Sequence, residues 1–164
     1  MQSIEEFLAY AIHLEREAAD RFGELADAMT TYGNAEVGKL FRRLSDYSRL
    51  HLAEAQARAG YRDIPELKPH EFDWPDMESP ETAAIWAADP FIGREQALHI
   101  ALAAEAAGLA YYQSICDTTT DADIKHLAKE FVEEESAHVA ELEKWIAYHK
   151  AGRKLPVDGK LAVR

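Results

Sequence analysis

Apolar residues recur at alternating steps of three and four along two stretches of this chain, which is the spacing of a helix face buried along its length. Each stretch breaks once, at "TTYGN" (30–34) and at "DTTTD" (117–121). The pattern predicts helices over 3–29, 35–59, 91–116 and 122–150, with Asp121 as N-cap of the last. Proline agrees with it. Five of the six prolines (Pro65, Pro69, Pro75, Pro80, Pro90) fall in the connection between the stretches, and the sixth is Pro156. Blocks 1–64 and 91–155 are therefore free to be helical. The connection 61–90 contains "SPETAAIWAA", which reads as a short helix with Ser79 as N-cap and Pro80 in its first turn. Short turns make each helical pair antiparallel, and a long connection can cross the bundle. The expected fold is all-α: a four-helix bundle over 1–150 with one long crossover, followed by a short basic tail over 151–164. Phe72, Trp74, Trp86 and Phe91 are expected to pin the crossover to the bundle.

The polar positions within the apolar seams carry the chemistry. Helix one reads Leu8, Ile12, Glu15, Ala19, Phe22, Ala26, and helix two reads Val37, Phe41, Leu44, Ser48, His51, Ala55. Helix three reads Leu98, Leu102, Glu105, Leu109, Tyr112, Cys116, and helix four reads Ile124, Ala128, Phe131, Glu135, His138, Leu142, Trp145. A carboxylate on an apolar stripe is costly unless it is paired or holds a cation. Three seams carry one each, all near mid-helix.

An internal repeat doubles the pattern. Glu15 and Glu105 are 90 residues apart, and His51 and His138 are 87 apart. "LSDYSRLH" (44–51) matches "FVEEESAH" (131–138), and an aromatic, Phe22 or Tyr112, stands seven residues after each helix-one and helix-three glutamate. Glu-x-x-His places two ligands one turn apart on one helix face, so both reach one metal ion. The candidate metal ligands are Glu15, His51, Glu105, Glu135 and His138. Glu133, Glu134 and Glu17 lie off the seams and read as solvent-facing. His13, His70, His99, His126 and His149 read as structural or exposed. Tyr112 is either core or a hydrogen-bond donor to a ligating carboxylate.

Composition narrows the class. The chain has 164 residues, 48% of them hydrophobic, and a net charge of −12, which disfavours nucleic acid or an anionic membrane as partner. A single cysteine, Cys116, rules out a disulfide framework or a four-cysteine metal site within one chain. The start "MQSIEEFLAY" has neither the basic nor the apolar region of a secretion signal, and no apolar run reaches the ~18 residues of a membrane span. A cytoplasmic location is expected.

On "EREAADRF", "LFRRLSDYSRLH", "ALHIALAAEAAGLAYY" and "LAKEFVEEESAH", the chain resembles a rubrerythrin-like member of the ferritin-like superfamily of di-iron carboxylate bundles, over nearly all of 3–149. The resemblance implies that Glu15 and His51 serve one metal, Glu105 and His138 the other, and that Glu135 bridges. It implies iron, one or two ions per chain, reacting with peroxide or oxygen as a peroxidase or ferroxidase, in a homodimer. Manganese and zinc fit the same donors. The chain departs from the family at three points. Ser48 stands where a bridging glutamate is expected, Gly108 stands where rubrerythrins often carry a further glutamate, and there is no rubredoxin-like module, so electrons would come from a separate donor. The competing expectation is a non-catalytic four-helix interaction module with a vestigial or structural site, which Ser48 favours. A ferritin storage cage is disfavoured, because "AGRKLPVDGKLAVR" suits no additional helix.

Overall fold

The computed structural model describes residues 3–75, 79, 80, 89 and 91–155. Four helices carry the chain: α1 (Ile4–Thr31), α2 (Ala35–Ala59), α3 (Arg94–Thr118) and α4 (Ala122–Lys150). The fold is the expected all-α four-helix bundle, and there is no strand among the described residues. α1 starts where Ser3 Oγ accepts the Glu6 N–H at 3.1 Å. α4 starts at Asp121, whose carboxylate accepts the Asp123 and Ile124 N–H groups at 2.9 and 3.1 Å. α3 begins three residues later than expected, because Gly93 is extended (φ −80°, ψ 171°) and leaves Phe91 and Ile92 outside the helix. No described helix is long and apolar enough to cross a membrane.

α1 and α2 turn at Gly33, whose φ of 84° favours glycine. They then pack closely through small residues. A Cβ on Gly38 would lie 2.5 Å from Thr30 Oγ1 and 3.2 Å from the Ala26 carbonyl oxygen. Ser45 Oγ donates to the Ala19 carbonyl across the same interface at 2.7 Å.

The direction of α3 follows from one contact. Asn34, at the start of α2, donates its side-chain amide to the Ile92 carbonyl at 2.8 Å. α2 and α3 therefore start at the same end and run parallel, while each consecutive pair, α1–α2 and α3–α4, is antiparallel. The connection must travel the length of α2, about 37 Å at 1.5 Å per residue. Its described part lies against α1 and α3. Trp74 packs edge-on to Tyr10 and Tyr111 at 4.9 and 5.3 Å between ring centroids, Phe72 stacks on Trp74, and Tyr10 Oη accepts the Asp73 N–H. Phe72 and Trp74 thus pin the crossover as expected. Phe91 contributes little: its ring meets Tyr32 edge-on at 6.0 Å but is 77% exposed, and the neighbouring Ile92 is buried. Residues 81–88 of the expected short helix, with Trp86, and the tail from 156 onward lie outside the described residues.

The core is in two pieces. One cluster, at the α1–α2 turn, holds Phe22, Met29, Phe41, Leu98, Leu142 and Trp145. The other, at the α3–α4 turn, holds Phe7, Leu8, Tyr112, Ile124 and Phe131. Between them, at mid-height, lie the buried polar residues.

Candidate metal centre

Long helices in register bring the polar seam residues to one level. Glu15, Ser48 and Glu135 are each 2% exposed, and Glu105 is 7% exposed. The two histidine side chains are more open, His51 at 14% and His138 at 24%. The centre is therefore walled by carboxylates within the bundle and reaches solvent on its imidazole side.

The five side chains expected as ligands lie around this level, and the donors of three of them, His51, Glu105 and His138, converge. His51 Nδ1 lies 4.0 Å from Glu15 Oε2. His138 Nδ1 lies 3.6 Å from Glu105 Oε2 and 3.4 Å from Glu135 Oε2. The imidazole rings stack at 3.7 Å between centroids with 12° between planes. Glu135 hydrogen-bonds to both Glu15 and Glu105, which puts its carboxyl between theirs. One ligand atom each from His51, Glu105 and His138 lie within 4.8 Å of one another, the spacing of donors around a cation. The internal repeat is thus visible in space: Glu15 faces His51 as Glu105 faces His138. Ser48, the counterpart of Glu135, is buried at the same level without a carboxylate.

The electrostatics suit a cation. Burial, and then the negative field of Glu105, push the Glu15 carboxyl up to about 8, so it keeps its proton at neutral pH. Glu105 goes the other way. Burial pushes it up, but hydrogen bonds to Glu135 and His138 and the nearby imidazoles outweigh that and hold it at about 2. Glu105 Oε2 is buried, with His138 Nδ1 its neighbour at 3.6 Å, too long for a good hydrogen bond. A buried carboxylate oxygen held this loosely beside an imidazole fits a cation site, since a poorly satisfied buried acceptor is costly otherwise. The donor set, three carboxylates and two imidazoles, suits iron, manganese or zinc.

The surroundings partly depart from expectation. Glu133 is exposed as expected. Glu134 instead bonds Arg58 of α2, which also reaches Glu130 at 3.4 Å and lies over the Phe131 ring at 4.8 Å. Glu17 is half-buried, 3.6 Å from His13, whose ring stacks on Phe72 at 4.1 Å. His70, His99 and His126 are exposed. Cys116 is half-buried near the Lys125 carbonyl. Tyr112 is fully buried and stacks on Phe131 at 4.9 Å. The Arg58 clasp had only a faint sequence signal, a cation two turns after His51 on the same helix.

No family model matches the chain, and no curated protein does. Among solved structures, a crystal structure of an uncharacterized conserved protein from Magnetospirillum magnetotacticum MS-1 matches with a TM-score of 0.64 and 34% identity. The match covers 88% of this chain and 94% of that one, almost the whole of both. At that identity and coverage, the chain belongs to the same family as this conserved Magnetospirillum protein.

Proposed function

We propose that this protein binds divalent transition metal, iron foremost, at the mid-bundle carboxylate/histidine centre, and that it is a rubrerythrin-like oxidoreductase of the ferritin-like type. The observation that carries metal binding is the convergence of His51, Glu105 and His138 donors within 4.8 Å of one another. Glu15 and Glu135 complete the donor set beside them. Bound iron would supply one-electron redox chemistry towards dioxygen or peroxide. The chain's own residues would do the rest. The imidazoles and carboxylates hold the ion, Glu135 spans the two halves, and the two apolar clusters keep bulk water from the bundle side. Electrons would come from a separate donor. The working assembly in this reading is a homodimer, the commonest closed symmetry.

The buried Ser48 favours a second reading, a non-catalytic interaction module whose site is vestigial or structural. With three carboxylates, two divalent cations are under-neutralised, and one cation is held more readily than two. The experiment is metal analysis with thermal melts, followed by anaerobic ferrous loading and exposure to peroxide or dioxygen. The redox reading expects a raised melting temperature with Fe(II) and oxidation of bound iron faster than that of free iron. Binding without accelerated oxidation leaves the structural-site reading. The absence of metal and of any stabilisation by Fe(II), Mn(II) or Zn(II) sinks the metal reading and leaves a non-catalytic module with a vestigial site.

A further inference from the structure

We propose that Arg58 is a positioning residue of this centre: its clasp on α4 holds α2 and α4 at the separation that brings the His51 and His138 imidazoles to one cation. The consequence for metal rests on the metal-binding reading above, whereas the geometry of the imidazole pair does not. α2 and α4 run antiparallel and touch in turn along their lengths. Tyr47 meets Trp145 at 6.1 Å between ring centroids, and His51 stacks on His138 at 3.7 Å. Further along α2, the Arg58 guanidinium bonds Glu134, reaches Glu130 Oε2 at 3.4 Å and lies 4.8 Å over the Phe131 ring. The imidazole pair therefore stands between two other contacts of the same helices.

Of the flanking contacts, the Arg58 clasp is the directional one. Tyr47 and Trp145 are tilted by 50° and lie at the far edge of ring contact. A planar guanidinium held by two carboxylates and a ring face fixes both angle and distance. Phe131 is 2% exposed and stacks on Tyr112, so the clasp is anchored in the core. Arg58 follows His51 by seven residues, and Phe131 precedes His138 by seven. Seven residues are two turns less about 20°, so clasp and imidazoles share one stripe on each helix, about 10 Å apart. A binding constellation works within about 0.5 Å of its productive geometry, so a shift of α2 against α4 at this distance reaches the donors. The clasp also disposes of Glu134. That residue is four before His138, the spacing of a helical side-chain pair, yet it bonds across to α2. His138 is left to Glu105 and Glu135.

Charge gives the proposal a sign. An arginine beside a cation site repels the cation and neutralises Glu134. If Arg58 acted through charge alone, its removal would tighten metal binding; if it positions the imidazoles, its removal weakens binding. The test is a calorimetric titration of the full chain with Mn(II), paired with proton NMR in chelator of cross-relaxation between the two imidazole rings. The variants are Arg58→Met, which keeps a long apolar stem on Phe131 and a good helix former on α2, the exchange Arg58→Glu/Glu134→Arg, and Asp121→Ala as a destabilised control away from the centre. Arg58→Met is expected to weaken Mn(II) binding at least fivefold and to lose the cross-relaxation. The exchange is expected to bind within threefold of wild type and to regain it, and Asp121→Ala to change affinity less than twofold. Unchanged or tighter binding by Arg58→Met would overturn the proposal, as would an equal loss in Asp121→Ala, which marks a general loss of stability, or a failure of the exchange to rescue. A wild-type chain that binds no Mn(II), Fe(II) or Zn(II) fails the metal reading alone. The NMR then decides: cross-relaxation that persists in Arg58→Met overturns the positioning role, and its loss with recovery in the exchange supports it. Circular dichroism verifies that the variants keep the helical fold.

Discussion

Glu15 holds a proton that an incoming cation has to displace. Its carboxyl sits at about 8, far above its ordinary 4.5, because it is buried and then because Glu105 lies beside it. Metal affinity should therefore rise with pH, up to about tenfold per unit, until about pH 8, and level off above it. Calorimetry in buffers of different ionisation enthalpy should show close to one proton released per cation. The same shift fixes a stability trend for the metal-free protein. A group whose value is raised on folding stabilises fully below its ordinary value, and that contribution is lost as pH rises through the raised one. Melting temperature in chelator should fall between about pH 5 and 8, and Glu15→Gln should flatten the fall. Glu105 has the opposite sign: its contribution is present above the ordinary carboxylate range and disappears only in strong acid, near pH 2. A melting temperature that is constant between pH 5 and 8 would place the proton elsewhere.

At the scale of elements, the register of α1 against α2 decides whether Glu15 and His51 meet. That register is set by close approach at Gly38, where an added Cβ would lie 2.5 Å from Thr30 Oγ1 and 3.2 Å from a carbonyl oxygen. Thr30 Oγ1 itself donates to the Ala26 carbonyl at 2.8 Å, so moving it breaks a bond. Gly38→Ala should cost about 1–3 kcal/mol by overpacking, despite the better helix propensity of alanine. Thr30→Ala/Gly38→Ala should recover part of that, leaving the contact with the Ala26 carbonyl. Denaturant melts of the two variants measure both effects. The N-cap of α4 gives a simpler expectation. Asp121→Ala should cost about 1 kcal/mol, because two N–H groups lose their acceptor. Asp121 was readable as a cap from sequence, because a turn-forming run precedes it and an apolar period follows it. The close contact at Gly38 was not, since no seam pattern says which small residue lets two backbones approach. Seam spacing likewise assigned Glu135 and His138 inward and Glu133 outward, yet it missed the Glu134–Arg58 bond. Periodicity measures the angle of a residue about its own helix axis. It says nothing of which side chain a neighbouring helix presents at the boundary.

At the scale of the molecule, the bundle is two apolar clusters joined through a polar layer. The sequence showed that layer well, because its members recur 90 and 87 residues apart and interrupt stripes that are otherwise apolar. The long crossover expected after helix two already implied that α3 runs parallel to α2, and the contact between Asn34 and Ile92, residues far apart in the chain, agrees with it. The layer is costly to the metal-free fold, since buried carboxylates rarely recover their desolvation even when bonded to one another. Replacing Glu15 and Glu135 together by methionine, a residue of similar length, should join the two clusters into one core. In chelator the double variant should be more stable than wild type by about 1–4 kcal/mol. It should also lose the stabilisation that Fe(II) or Mn(II) gives the wild type, which grows with free metal over the dissociation constant. Paired denaturant melts, with chelator and with metal, read both effects from one set of samples. A variant less stable than wild type in chelator would mean that the hydrogen bonds from Glu135 to Glu15 and Glu105 hold the bundle together without metal. The layer would then be a structural device, as the non-catalytic reading requires.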